Sequence, residues 1–156
     1  MRNVYRALAF TIAALVGVQA AFHAYGSAGL GKWVQGGGVL DKAAIESPDL
    51  SFPGLTALML HGMFGMMVIP ALALLLVISS FFARVPGGIK WALVVFGVVV
   101  AQVAFGLFGH SIIQLAILHG LNALVLFGVA VSTGLRVRRV TQATAAPQAE
   151  SVSVQV

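Results

Sequence analysis

The sequence predicts an all-α fold, a four-helix transmembrane bundle built from two repeated two-helix units. Three observations predict it. Hydrophobic residues make up 60% of the 156-residue chain and charged residues only 8%, against about a quarter charged in an average soluble domain. The apolar residues gather in four runs, each long enough to cross a bilayer at roughly 20 residues per crossing. Polar residues inside those runs recur in the same short settings in both halves of the chain. Lipid is therefore the expected solvent and the bilayer the first expected partner. The chain has no Cys, which excludes disulfides, thiolate metal sites and Cys-attached haem. Its net charge of +5 is spread along membrane edges rather than gathered in a patch, so nucleic acid is not an expected partner.

The spans are expected at about 5–25, about 54–83, about 89–108 and about 111–135. Span two has length to spare for a tilt or an interfacial turn. Pro70 lies inside it and should kink it, which neighbouring helices tolerate in a membrane. Between spans one and two, residues 26–53 are expected to form an outer loop, with Trp33 suited to an interface. Residues 1–139 thus form one four-span domain. The Ala/Gln/Ser-rich tail, 140–156, is expected to be disordered.

Charge sets the direction of the spans. Arg2 and Arg6 precede span one, Arg84 and Lys90 bracket the turn after span two, and Arg136, Arg138 and Arg139 follow span four. Four crossings put all seven on one side, and the positive-inside rule makes that side cytoplasmic. Both termini are then expected inside, in a bacterial inner membrane. Span one can also be read as a signal peptide, with "VQA" before a cleavage point. The repeat argues that it stays.

"QAAFHAYG" at 19–26 matches "QVAFGLFG" at 102–109, and "LHG" at 60–62 matches "LHG" at 118–120. Spans one and two therefore align with spans three and four. His61 and His119 fall about seven and eight residues past the outer starts of their spans, roughly 10–12 Å deep at the helical rise. Gln19 and Gln102 fall in the same layer on the alternate helices. Polar groups at this depth usually face the bundle interior.

A lone intramembrane His is most simply a hydrogen-bonded packing residue. Two in duplicated positions, at one depth and on helices running the same way, suit a cofactor in a bundle core. Zinc wants three or four protein ligands, and this layer holds no carboxylate or Cys. A b-type haem needs only two axial nitrogens and apolar walls. Gly62, Gly65, Gly106, Gly109 and Gly120 thin the helices here, and Phe22, Phe64, Phe105, Met63, Met66 and Met67 offer apolar contact. The candidate cofactor-binding residues are His61, His119, Gln19, Gln102, Gly62, Gly106, Gly120, Phe22 and Phe105, with His61 and His119 as iron ligands. For each glycine taken singly, close helix packing is an equal reading. For each Met or Phe, core filling is the simpler one.

This arrangement resembles one half-bundle of the haem A synthase family, a four-helix unit with axial histidines on its second and fourth helices toward the outer face. It also resembles four-helix b-type membrane cytochromes, and it looks like small actinobacterial four-helix membrane proteins. The likeness covers residues 1–139 and rests on topology, duplication and His61/His119. It implies bound haem b. Gly62 and Gly120 stand where that family has Arg after the histidine. Ala57 or Leu58 stands where its substrate-processing half has Glu, and the extracellular Cys pair is missing. The resemblance therefore implies electron transfer or haem retention rather than a haem-modifying reaction, with a quinone, a respiratory complex or a second copy of the chain as partner.

Two other readings remain open from the residues. One is a cofactor-free structural or accessory protein, its His/Gln layer serving as interhelical glue. The other is a transporter-like or quinone-linked protein using His23 and His110 for protons. His23 lies one turn nearer the surface than Gln19, and His110 ends span three, so both are expected outside the iron's ligand set. Gln114 and Asn122, each about one turn from His119, can orient its ring or bond a neighbouring helix.

Overall fold

The computed structural model describes residues 1–153, with side chains described through Val137. The tail expected to be disordered, 140–156, falls outside those side chains. All secondary structure among the described residues is helical: α1 Arg2–Gln35, α2 Lys42–Glu46, α3 Leu55–Met63, a π-helical turn Phe64–Val68, α4 Ile69–Ala83, α5 Gly88–Gly109 and α6 Gln114–Ser153. Among the described residues, four stretches are long and apolar enough to cross a membrane: Arg2–Gln35, Leu55–Ala83, Gly88–Gly109 and Gln114–Val137. The chain divides into two compact units, Gly17–Val68 and Met1–Val16 with Ile69–Val156.

The outer loop starts later than its glycines suggest. Instead of ending near residue 25, α1 continues to Gln35. "GSAGLGKWVQ" contains no proline, and glycine weakens a helix by only about 1 kcal/mol. The stop comes at Gly37, whose φ of 96° places it in the left-handed region where a side chain is costly. Gly38 N–H then bonds Trp33 O at 3.1 Å and Gly37 N–H bonds Val34 O at 3.0 Å, the paired closure of a Schellman end. Trp33 packs its indole against Phe52, ring centroids 5.8 Å apart.

Within Gly17–Val68, the extension of α1 is held by a close crossing. A Cβ on Gly29 would collide with the carbonyl of Pro53, and one on Gly26 with the Leu58 side chain. Glycines three residues apart share a helix face, and here that face receives the backbone at 53–54 directly.

Pro70 does disrupt its helix, as a π turn immediately before it rather than a simple kink. Proline offers no N–H, and its ring crowds the carbonyl four residues back, here that of Met66. Widening Phe64–Val68 to π geometry relieves that crowding.

The other unit has a conventional membrane-protein core. Tyr5, Ile12, Leu76, Val95, Val99 and Leu126 are fully or almost fully buried, interleaved with Ala9, Ala73, Ala92 and Ala130. Small residues let helix backbones approach in lipid, where packing rather than water exclusion drives association. Polar groups in this core find local carbonyls: Ser79 Oγ donates to Leu76 O at 2.9 Å, Thr133 Oγ1 to Val129 O at 2.8 Å. Tyr5 OH donates to Gly88 O at 3.0 Å, and the Arg136 guanidinium lies 4.1 Å from the Trp91 ring centroid.

Two alanine substitutions distinguish packing from propensity. At Gly17, where a Cβ meets nothing within 4 Å, Gly→Ala should stabilise by up to about 1 kcal/mol. At Gly29 the collision with a backbone carbonyl should reverse the sign and cost about 1–3 kcal/mol. Unfolding of the two variants in detergent, side by side, measures both.

Candidate functional site

Each compact unit holds one of the two singled-out histidines. His119 belongs to the unit that contains α5 and α6, and a hydrogen-bond network surrounds it. Asn122, one turn further along α6, points Nδ2 at Val98 O (3.0 Å) and at Gln102 Oε1 (2.7 Å). Both acceptors are oxygens, so the Asn122 amide has only one workable orientation. That contact orients Gln102 in turn. Its oxygen faces Asn122, so its Nε2 faces the His119 ring, 3.3 Å from both ring nitrogens.

The ring's proton can then be placed. His119 Nδ1 lies 3.0 Å from the main-chain oxygen of Gln102. A carbonyl only accepts, so Nδ1 carries the hydrogen and the neutral ring keeps its lone pair on Nε2. Nε2 accepts from Gln102 Nε2. The other 3.3 Å approach, Nε2 to Nδ1, brings two donors together and is not a bond. Gly106 makes the fit possible: a Cβ there would sit 3.1 Å from His119 Cε1 and 3.2 Å from Nδ1.

His61, in the Gly17–Val68 unit, repeats one part of this arrangement. Its Nδ1 lies 3.0 Å from the main-chain oxygen of Gln19, so the same logic puts hydrogen on Nδ1 and the lone pair on Nε2. The rest differs. Gln19 is 7% exposed, and neither its Oε1 nor its Nε2 has a hydrogen-bond partner. Phe64 stands three residues after His61 where Asn122 follows His119, so no amide is supplied from that position. His23, one turn after Gln19, sets its ring edge-on to His61 with centroids 5.2 Å apart, and its Nδ1 is 3.4 Å from Ser27 Oγ.

The remaining predicted residues divide in the same way. Gly106 touches His119, whereas a Cβ on Gly62 or Gly120 would meet nothing within 4 Å. Phe22 and Phe105 are half-buried. Met63, Met66 and Met67 are exposed and do not fill a core. His110 is exposed and caps the C-terminal end of α5. Among the described residues, no three His, Cys, Asp or Glu side chains gather as a metal site. Sequence reasoning missed the His23–His61 contact. The signal was there, because Gln19 and His23 lie four residues apart on one helix face, and a ring bonded to Gln19 has His23 as its next neighbour.

Replacing Asn122 with Leu removes two interhelical hydrogen bonds and frees the Gln102 amide. At the roughly 0.6–1.7 kcal/mol found for such bonds in membranes, Asn122→Leu should destabilise the protein by about 1–3 kcal/mol, read as a lower unfolding midpoint in detergent. A midpoint equal to or above that of the parent protein would mean the network contributes nothing. Neither protein-family models, nor curated proteins, nor solved structures yield a match to this chain.

Proposed function

We propose that this chain is an integral membrane protein that binds haem b through His61 and His119 and serves electron transfer. One observation carries the reading. Each of these imidazoles gives its Nδ1–H to the main-chain carbonyl of a glutamine, Gln19 or Gln102, at 3.0 Å. Histidines that bind metals characteristically donate their other ring N–H to a carbonyl or carboxylate, which orients the ring and presents a lone pair on Nε2. His61 Nε2 and, once the Gln102 amide turns away from it, His119 Nε2 would be the nitrogens that hold the iron. Bound haem would supply a one-electron iron couple. The chain's own contributions are ring orientation by the two carbonyls, room at Gly106, and apolar surface from Phe22 and Phe105. Gly62 and Gly120 add thin helix faces beside the ligands. In the same reading the chain is a duplicated two-helix unit with both termini cytoplasmic, in a bacterial inner membrane, taking electrons from or passing them to a quinone or respiratory complex.

A second reading has one observation in its favour. Gln102, His119 and Asn122 satisfy one another without any ligand, as interhelical glue in a cofactor-free accessory protein would.

Absorption decides between them. Protein purified from haem-replete cells should show a Soret band and sharp reduced α and β bands; colourless protein sinks the haem reading. His61→Ala or His119→Ala should abolish low-spin haem, while His23→Ala and His110→Ala should leave the spectrum nearly intact. Gln19→Ala and Gln102→Ala keep the main-chain carbonyls that orient the rings, so both should retain low-spin haem with a shifted potential. Topology has its own measurement. A Cys replacing Gln35 should react with an impermeant maleimide added outside intact cells, and one replacing Pro86 should not.

A further inference from the structure

We propose that the carboxamide of Gln19 is the hydrogen-bonding half of a site for the head group of a membrane-soluble quinone or quinol. The inference goes beyond haem binding and does not depend on it. An amide buried without a partner is a standing cost, more so in hydrocarbon, where no bulk water reaches it. Gln19 is such a group. It is 7% exposed, and its one acceptor and its amino donor are both unpartnered.

Elsewhere the chain satisfies a span amide with its own residues. Gln102 is bonded by Asn122 and His119. Beside Gln19 that arrangement is dismantled, because Phe64 occupies the place three residues after the histidine. The neighbouring wall is bare backbone. Gly65, in the π-helical turn Phe64–Val68, faces Gln19 with no side chain, and a Cβ there would come into contact with Oε1 at 3.8 Å. π-helical turns inside α-helices are frequent at functional sites. On the adjacent turn, Gly62 is exposed and carries no side chain on the outer surface of the helix.

The occupant must reach the site through lipid, so it must be largely apolar. It must also offer an acceptor to Nε2 and a donor to Oε1. A quinone carbonyl meets the first demand and a quinol hydroxyl meets both. An ion meets neither as well, since no charged side chain lies on this stretch of α1 or α3.

The test uses the full chain in lipid nanodiscs and a fluorescent quinol analogue, heptyl-hydroxyquinoline N-oxide. Saturable quenching at one probe per protein is expected. Gln19→Leu should weaken it about tenfold, the factor that one lost hydrogen bond to a neutral partner typically represents. Gly65→Leu, which sets a bulky side chain against the amide, should do the same. Gln102→Leu should leave probe affinity within about twofold. Stability supplies a second readout: without probe, Gln19→Leu should melt no lower than the parent protein, since it removes an orphaned amide, whereas Gln102→Leu should melt lower. The probe should raise the melting midpoint of the parent protein but not of Gln19→Leu. Absent saturable quenching, unchanged binding in Gln19→Leu, or equal losses in Gln19→Leu and Gln102→Leu would each overturn the proposal. Because the probe is read by its own fluorescence, a colourless protein that binds it would sink the haem reading and leave this one standing.

Discussion

Hydrocarbon neither donates nor accepts hydrogen bonds, and that one constraint organises the polar residues of this protein. Every imidazole, amide or hydroxyl carried into the apolar spans must find its partner within the chain or remain a cost. The serines and Thr133 solve the problem locally, on carbonyls of their own helices. The two deep histidines solve it between helices, each on a main-chain carbonyl that already serves its own helix and has a lone pair left over. Because a carbonyl can only accept, this choice settles the tautomer of each ring as well as its position.

The spans were legible in the sequence because about 20 consecutive apolar residues is a signal that local detail cannot mask. The end of α1 was not. Its persistence to Gln35 depends on Pro53 and Gly54 packing onto Gly26 and Gly29, a contact between segments that no local pattern announces. Pro70 marked a disturbance in span two but not its form, since a kink and a π turn answer the same missing N–H.

For the site, helix arithmetic placed Gln19, Gln102, His61 and His119 in one layer without pairing them. It did not reveal that the backbone of each glutamine, rather than its amide, makes the shared bond. Nor could it choose for Asn122 between orienting the ring and bonding a neighbouring helix; Asn122 reaches across to Val98 and orients Gln102 at the same time. His23 was placed by its depth alone, about one turn from the ligand layer, and depth says nothing of the direction in which a ring lies. Phe64 and Asn122 show how far a single position carries. One amide, present or absent three residues after the histidine, decides whether a buried glutamine is satisfied by its own chain.

The carbonyl bond to Nδ1 also bears on the membrane as an insulator. A histidine conducts protons by taking one at one ring nitrogen and releasing another from the opposite one. In His61 and His119 the second nitrogen is tied to a peptide oxygen, a base far too weak to receive a proton near neutral pH. Each ring is therefore a dead end for a travelling proton. Imidazoles can be placed in an apolar span in this way without the ring serving as a step in a proton path.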